Sequence, residues 1–399
     1  MNAMNSASTI SSEGAAVPAN AATPGDAGSN GPVPDAALGQ MSVSRVDGDV
    51  WDSHMSRFDG AAQEQMHVFT SGRWPHVEQE PNLFYLDGEL VGGVMIMVQS
   101  LPLGIGHIAV AKWGPMLVDN AGPHAGRIYG RMVEMLIAEY ADRRGYMLSI
   151  LPKVSPSPVN MALEYLRKRG FREGSQLEFP DRYVVNLRLD DAQLKKSFAQ
   201  KWRYHLNRSF KQDLTFEVAS PDQLELFDAL YQAMSNRKKF ADHSAYHTVP
   251  ALMALEDDML RPELFFVRSG GEIVAGALIF KAGDTAVYLY GATNDKALPL
   301  RAGYFLHWHI IRWLRDNTRA RWYDLGGTDG FQGLHQFKKG MVGSAGHIQP
   351  VAPVMNYASH WRAKLTGNLA YLVRDGVNWL RLKVEKLRSD LATPDQAKK

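Results

Sequence analysis

One order of elements occurs twice in this chain, about 180 residues apart, and it constrains the fold more than any single motif. Asn82-Leu-Phe-Tyr-Leu, a turn at Asp87-Gly88 and the run from Leu90 to Val98 read as a β-hairpin, because apolar strands flank an Asp-Gly pair whose backbone accepts positive φ. A strand near Ile105 to Ala111 follows. Next comes a helix over Ala125 to Arg143, with Ile128, Met132, Met135, Leu136 and Tyr140 on one face, and then a buried strand from Tyr146 to Leu151. Glu263-Leu-Phe-Phe-Val, the turn Ser269-Gly270-Gly271 and Ile273 to Phe280 repeat the hairpin. Ala286 to Gly291 repeats the strand, Ala302 to Arg315 the helix and Arg321 to Leu325 the last strand. Four matching elements in one order imply an internal duplication: two α/β modules in tandem, each with a mixed sheet.

The flanking segments read differently. Residues 1 to about 45 are Ala, Ser, Gly, Pro and Asn with few large apolar side chains, a composition too poor in buriable surface to offset the entropy of ordering, and they are expected to be a disordered tail. A helix is expected around Phe58 to Phe69, another over Ser157 to Arg169, and a strand at Tyr183 to Leu189. Asp191 to Lys211 carries Leu194, Phe198, Trp202, Leu206 and Phe210 at spacings of four, a helical stripe. Its other faces hold Lys195, Lys196, Lys201, Arg203, His205, Arg208 and Lys211 with no acid after Asp191. That face is either solvated or anion-binding, and phosphate suits the planar fork of arginine. From Trp361 onward Leu365, Leu369, Leu372, Leu380, Val384 and Leu387 give a second stripe among nine Lys/Arg and four Asp/Glu, fit for an anionic membrane surface or for the body of the protein. The expected division is therefore a tail over 1–45, a first module over 46–190, a second over 191–355 and a helical tail over 356–399.

Composition narrows the chemistry. The 399 residues include no cysteine, which excludes disulfides, thiolate metal sites and a cysteine nucleophile. Lys and Arg total 44 against 42 Asp and Glu, so any basic surface must be local. No run approaches the roughly 18 apolar residues of a spanning helix, and a soluble cytoplasmic protein is expected.

Trp322 to Gly343, WYDLGGTDGFQGLHQFKKGMVG, has the grammar of a site. A short strand ends in Asp324, Gly326-Gly327 opens a loop whose amides can approach a ligand, and an extended segment is expected to resume at Phe337-Lys338-Lys339-Gly340. Successive side chains of such a segment face opposite ways, so only one lysine looks inward. A solvated loop with a lysine pair at a strand edge is the simpler alternative. Tyr288 and Tyr290 alternate with Leu289 and are expected to share one face. Of thirteen histidines, His307 and His309 differ by two helical positions and do not share a face, and His335 lies beside the lysine pair.

Lys201-Trp-Arg-Tyr-His-Leu-Asn-Arg, the strand end Tyr323-Asp-Leu-Gly-Gly and Phe337-Lys-Lys-Gly together resemble the FemA/FemB/FemX family of peptidoglycan aminoacyltransferases, over roughly residues 50 to 350. Trp113-Gly-Pro-Met-Leu-Val-Asp119 is similar to a Gly-Pro strand end of that family. The chain also resembles the wider group of double acetyltransferase-fold (GNAT) acyltransferases of exopolysaccharide and capsule loci. The resemblance implies two tandem GNAT-like modules and transfer of an aminoacyl group from aminoacyl-tRNA to an amine of a nucleotide- or lipid-linked envelope precursor. Acyl-CoA is the alternative donor, and a non-catalytic scaffold that binds membranes or partners is a reading of another class. It implies no metal and no cofactor beyond the donor substrate. Carried over by position, Lys338 stabilises the developing oxyanion or positions the donor, with pairing to Asp324 as its alternative role, and Asp119 is the candidate base. Arg203, with Tyr204 and Arg208, holds the acceptor's diphosphate, and Phe337, Asp324 and Tyr290 complete the substrate-binding set. The long coiled-coil arm of some members is absent, since Ser220 to Pro262 holds only about two helices. Leu300-Arg301-Ala302-Gly303-Tyr304 stands where simple acetyltransferases carry a Gly-rich donor loop.

Overall fold

The computed structural model describes residues 38–238 and 245–391, so most of the expected N-terminal tail and the last eight residues lie outside the described residues. From Gln40 onward the chain is one compact unit. Seven strands come first: β1 (Met41–Arg45), β2 (Glu78–Leu86), β3 (Glu89–Ser100), β4 (His107–Lys112), β5 (Met116–Leu117), β6 (Met147–Leu151) and β7 (Arg172–Glu173). Seven more follow: β8 (Asp181–Asn186), β9 (Thr215–Ala219), β10 (Glu263–Ser269), β11 (Glu272–Phe280), β12 (Thr285–Thr293), β13 (Trp322–Asp324) and β14 (His347–Pro350). The last is β15 (Met355–Tyr357).

They form two sheets. The first has the order β1-β2-β3-β4-β6-β15-β7 with β5 on β3, and the second has β14-β8-β13-β12-β11-β10-β9. Among the described residues each sheet has one parallel pair, β4 with β6 and β12 with β13. The duplication is real: hairpin β2–β3, strand β4, helix Ala125–Leu136 and strand β6 match hairpin β10–β11, strand β12, helix Ala302–Asn317 and strand β13. The first hairpin turns through Asp87 at φ 50 and Gly88 at φ 89, as the Asp-Gly pair requires. Even the leading strands correspond, β1 pairing antiparallel with β2 and β9 with β10. Met41–Arg45 was expected in the tail, but it pairs along its whole length with β2.

After each parallel pair the modules exchange a strand. Beyond β6 the chain forms helix Met161–Arg169 and β7, then crosses over, and β8 enters the second sheet between β13 and β14. Beyond β13 it forms helix Gln332–Val342 and β14, then crosses back, and β15 enters the first sheet between β6 and β7. Each exchanged strand satisfies two neighbouring edges, so neither sheet is complete without the other module's chain. Sheet membership accordingly changes before Asp181 and again before Met355.

Three local expectations are corrected. Phe58–Phe69 is not one helix: 3-10 turns at Met55–Arg57 and Gln63–Gln65 precede helix His67–Arg73. The irregular backbone lets Asp59 receive Arg319 at 2.6 Å and its carbonyl receive the amide of Asp284, contacts between modules that a continuous helix would forbid. Trp51, Met55, Phe58 and Met66 then pack with Phe280, Ala282 and Val287 in one inter-module core. Asp191–Lys211 is broken into Asp191–Ser197 and Gln200–Ser209, because Ala199 gives its amide to the carbonyl of Gly340. Leu194, Phe198, Trp202 and Leu206 of its stripe are buried as expected, while Phe210 is exposed. Finally, Phe337–Gly340 is not extended but lies within helix Gln332–Val342.

Candidate functional site

Open α/β sheets take ligands where parallel strands part at their C-terminal ends. Both modules part in this way. In the first, β4 and β6 pair from Ile108–Met147 to Lys112–Leu151 and then separate, one through Trp113, Gly114 and Pro115, the other through Pro152 and Lys153. The gap is a cleft of 530 Å³ lined by Trp113, Asp119, Lys153 and Asn160 of the first module, by Arg188 just beyond β8 and by Trp322 of the second sheet. Asp119 is exposed on its rim and accepts the amide of Ala121 at 2.9 Å. Lys153 donates to the carbonyls of Gly60 and Ala61 at 3.3 and 3.0 Å. Burial pushes its pKa below the usual lysine range, against the pull of Asp284 and Asp324.

In the second module β12 and β13 pair only from Thr285–Trp322 to Val287–Asp324, after which β13 ends and β12 runs on to Thr293. Gly326, at φ 76, turns the chain away, its amide held by Asp324 Oδ1 at 2.9 Å. Into this opening helix Gln332–Val342 projects Lys338, 6% exposed, while Lys339 faces solvent. Lys338 Nζ donates to the carbonyls of Leu325 at 2.6 Å and Gly327 at 2.5 Å and stands 5.9 Å from the Tyr288 ring centre. Burial, with Arg182 adding to it and Asp324 opposing, lowers its pKa to about 8. An ammonium has three N–H groups, and two are held by these carbonyls.

Asp324 is not the partner of Lys338. Its carboxylate is gripped by Arg182 through Nε at 3.1 Å and Nη2 at 2.8 Å. On its other side Arg182 lies 4.8 Å from the Trp113 ring, so one guanidinium ties the second-module strand end to the wall of the first-module cleft. Trp113 takes a φ of 63, uncommon for a bulky residue, to present that ring. Beneath Lys338, His307 is buried with Nδ1 3.2 Å from the Tyr323 hydroxyl, and burial together with Lys338 lowers its pKa to about 3, leaving it neutral. His335 Nδ1 meets the Tyr183 hydroxyl at 2.5 Å.

The remaining expected site residues disperse. Phe337 packs between Trp202, Tyr304 and His307. Tyr288 and Tyr290 do not share a face: the register slips at Leu278/Ile279, leaving Leu289 as the extra residue of a bulge. Tyr288 therefore packs toward His307, and Tyr290 packs edge-on to Tyr231 and Tyr246. Gly291 is required there, since its Cβ would fall on the Tyr288 hydroxyl. Arg203 donates through Nη1 to the carbonyls of Lys196 and Phe198, bracing the helix break. It also lines a separate hollow of 660 Å³ with Lys196, Lys339 and Ser344, a lining with three cations and no carboxylate. Tyr204, next to Arg203, and Arg208, about one turn further on, are exposed, with the Arg208 guanidinium 5.9 Å from the Tyr204 ring.

Sequence reading missed Arg182 and Lys153, and took Trp113 only as part of the Gly-Pro strand end. Lys153 follows the C-terminal end of a parallel strand, a position that marks ligand clefts and was available as a signal. The pairing of Arg182 with Asp324 spans 142 residues and carries no local signature.

Comparison with known proteins agrees with this architecture. Residues 196–339 match the acetyltransferase (GNAT) domain family. The fold is similar to the crystal structure of FemX, with a TM-score of 0.66 and 16% identity over 83% of this chain and 100% of that one. It is also similar to a conserved protein of unknown function from Bacteroides thetaiotaomicron, with a TM-score of 0.50 and 14% identity over 80% of this chain and 98% of the other. No curated protein matches the sequence significantly. Fold and domain match define the class, an acyltransferase built from two tandem GNAT-like modules. Within that class the fold is of the FemX type.

Proposed function

We propose that this acyltransferase moves an aminoacyl group from aminoacyl-tRNA to an amine of a nucleotide- or lipid-linked envelope precursor in the cytoplasm. The observation that carries the reading is Lys338, fixed by two carbonyls where β12 and β13 part and leaving one N–H for the reacting carbonyl. The acceptor amine attacks the ester carbonyl and the C–N bond forms; as the tetrahedral intermediate collapses the C–O bond to the ribose breaks, and the proton lost by the attacking nitrogen ends on the departing ribose oxygen as its hydroxyl. Lys338 meets the oxyanion of that intermediate with a charged donor in a site poor in water. Asp119, on the rim of the first-module cleft, is the base for the acceptor ammonium. Arg203, with Tyr204 and Arg208 near it and Lys196 and Lys339 in its hollow, supplies the charge for a diphosphate. Phe337 and Tyr290 offer aromatic surface to the substrates, and Asp324 acts through Arg182.

The acetyltransferase match over 196–339 supports a second reading, an acyl-CoA donor with an amino sugar or exopolysaccharide intermediate as acceptor. The segment before helix Ala302–Asn317 weighs against it, because Arg301 rather than glycine occupies the left-handed position at φ 61. The donor is decided by supplying charged tRNAs and acyl-CoAs separately. Transfer that ribonuclease abolishes supports the first reading, and release of free CoA thiol with acceptor acylation replaces it with the second.

A further inference from the structure

Over residues 361–377, helix Trp361–Leu391 packs on the first sheet by a face other than the one that carries Trp361, Leu365, Leu369 and Leu372. Ala363 and Gly367 are buried, and Ala370 and Tyr371 pack on Leu101, Ile108 and Met147. On the opposite face Trp361, Leu365, Leu369 and Leu372 are 52–70% exposed, at spacings that align them along the helix. Arg362 and Lys364, both exposed, stand on either side of Trp361, and Arg362 lies 5.5 Å from its ring.

Two neighbouring loops add to this face. Gly106 lies against Thr366, so the loop before it borders the helix, and at its tip Leu103 is 98% exposed with φ 60. A leucine held in the left-handed region with its side chain in solvent is costly twice over, in strain and in apolar hydration. On the other side Ser175 donates to Asp375, which brings up the loop carrying the exposed Leu177 and Phe179. Phe179 in turn covers Gly330, beside the exposed Phe331 of the loop that leads into the Lys338 helix.

We propose that this face docks on an anionic lipid bilayer, with Leu103, Trp361, Leu365, Leu369 and Leu372 entering the interface and Arg362 and Lys364 at headgroup level. The exposed side chains protrude from a helix and two loop tips and do not line a groove, which suits a fluid slab better than a shaped protein partner. Charge points the same way, since over residues 361–377 of this helix the exposed Arg362, Lys364 and Arg374 stand against Asp375. Long basic side chains beside an apolar stripe can reach the headgroups while their stems cover acyl surface. Among the described residues no helix is long and apolar enough to cross a membrane, so the association is peripheral. Because Phe331 belongs to the loop before the Lys338 helix, a docked molecule would hold its second-module opening near the lipid headgroups.

The test is co-sedimentation of the full-length protein with vesicles, one set of phosphatidylcholine alone and one of equimolar phosphatidylcholine and phosphatidylglycerol. It reads binding alone and stands whether or not the protein transfers aminoacyl groups. The parent should bind the anionic vesicles preferentially, and Leu369→Ser with Leu372→Ser should lower partitioning about 10-fold or more. Leu103→Gly should weaken binding while keeping or raising thermal stability, because glycine accepts the positive φ. Both variants change exposed side chains, and an unchanged circular dichroism spectrum shows that they fold. The proposal is overturned by a parent that binds neither vesicle, or by binding that the leucine variant retains in full. It is equally overturned if that variant only abolishes self-association in solution, which would give the face to a second copy of the chain.

Discussion

Replacing Lys338 by Met separates catalysis from stability at one atom. The thioether chain fills the same volume but offers no N–H to the oxyanion, and the loss of one such donor typically costs about 10²–10³ in kcat, or about 3–4 kcal/mol. Stability should move much less. A lysine whose pKa falls from 10.5 to about 8 on folding carries a burial penalty of about 3 kcal/mol at neutral pH, which the substitution removes. Against this, the carbonyls of Leu325 and Gly327 lose their donor, at about 1–3 kcal/mol each. The terms oppose, so folding stability in urea should stay within about 3 kcal/mol of the parent. Turnover is followed by mass spectrometry of the acceptor with donor saturating. A variant within threefold of parental kcat would refute the oxyanion role, and Lys339→Met proving the damaging change would show that the outward lysine does the work.

Other expectations follow from the same geometry. Arg182→Ala leaves the Asp324 carboxylate buried without its cation and should destabilise the protein by about 3–5 kcal/mol, read from urea midpoints, whereas a change below about 1 kcal/mol would deny the pairing. The folded pKa of Lys338 lies below the unfolded value, so the unfolded chain binds more protons between about pH 8 and 10.5 and stability should rise with pH there. That rise should be missing from the Lys338→Met variant. His307 is likewise depressed, to about 3, so its contribution to stability is lost as pH falls from 6.5 toward 3, and His307→Phe should flatten urea midpoints across that window. Because the modules exchange β8 and β15, residues 46–180 expressed alone should fail to give the cooperative thermal transition of the full chain, and a sharp transition would show that the exchange is dispensable.

What the sequence disclosed, and what it hid, divides along physical lines. Hairpins, helices and the parallel pairs repeat because local pattern dictates them, and the Asp87-Gly88 turn alone places one hairpin. That one lysine of the Phe337-Lys-Lys-Gly run faces inward was legible, but the choice of Lys338 rested on the resemblance, and the segment is a helix, not a strand. Gly-rich residues before Gln332 masked the period of Leu334, Phe337, Lys338 and Met341. The strand exchange was not legible: Asp181–Asn186 reads as a strand of whichever module precedes it, and only hydrogen bonds to Trp322–Asp324 and His347–Pro350 assign it. The Arg182 link between Asp324 and Trp113 was hidden for the same reason, since three segments meet there that are distant in the chain. The stripe from Trp361 was visible, but only the packed face of its helix reveals that Leu365, Leu369 and Leu372 are left uncovered.

Transfer of an aminoacyl group to an amine is read directly from the mass of the acceptor. Purified protein is incubated with a nucleotide-linked muramyl peptide and charged tRNAs, and the peptide is weighed before and after. A gain of one amino-acid residue in amide linkage is expected, sensitive to ribonuclease and suppressed by Lys338→Met. An acceptor of unchanged mass with every charged tRNA, under conditions where the protein is folded, would contradict it.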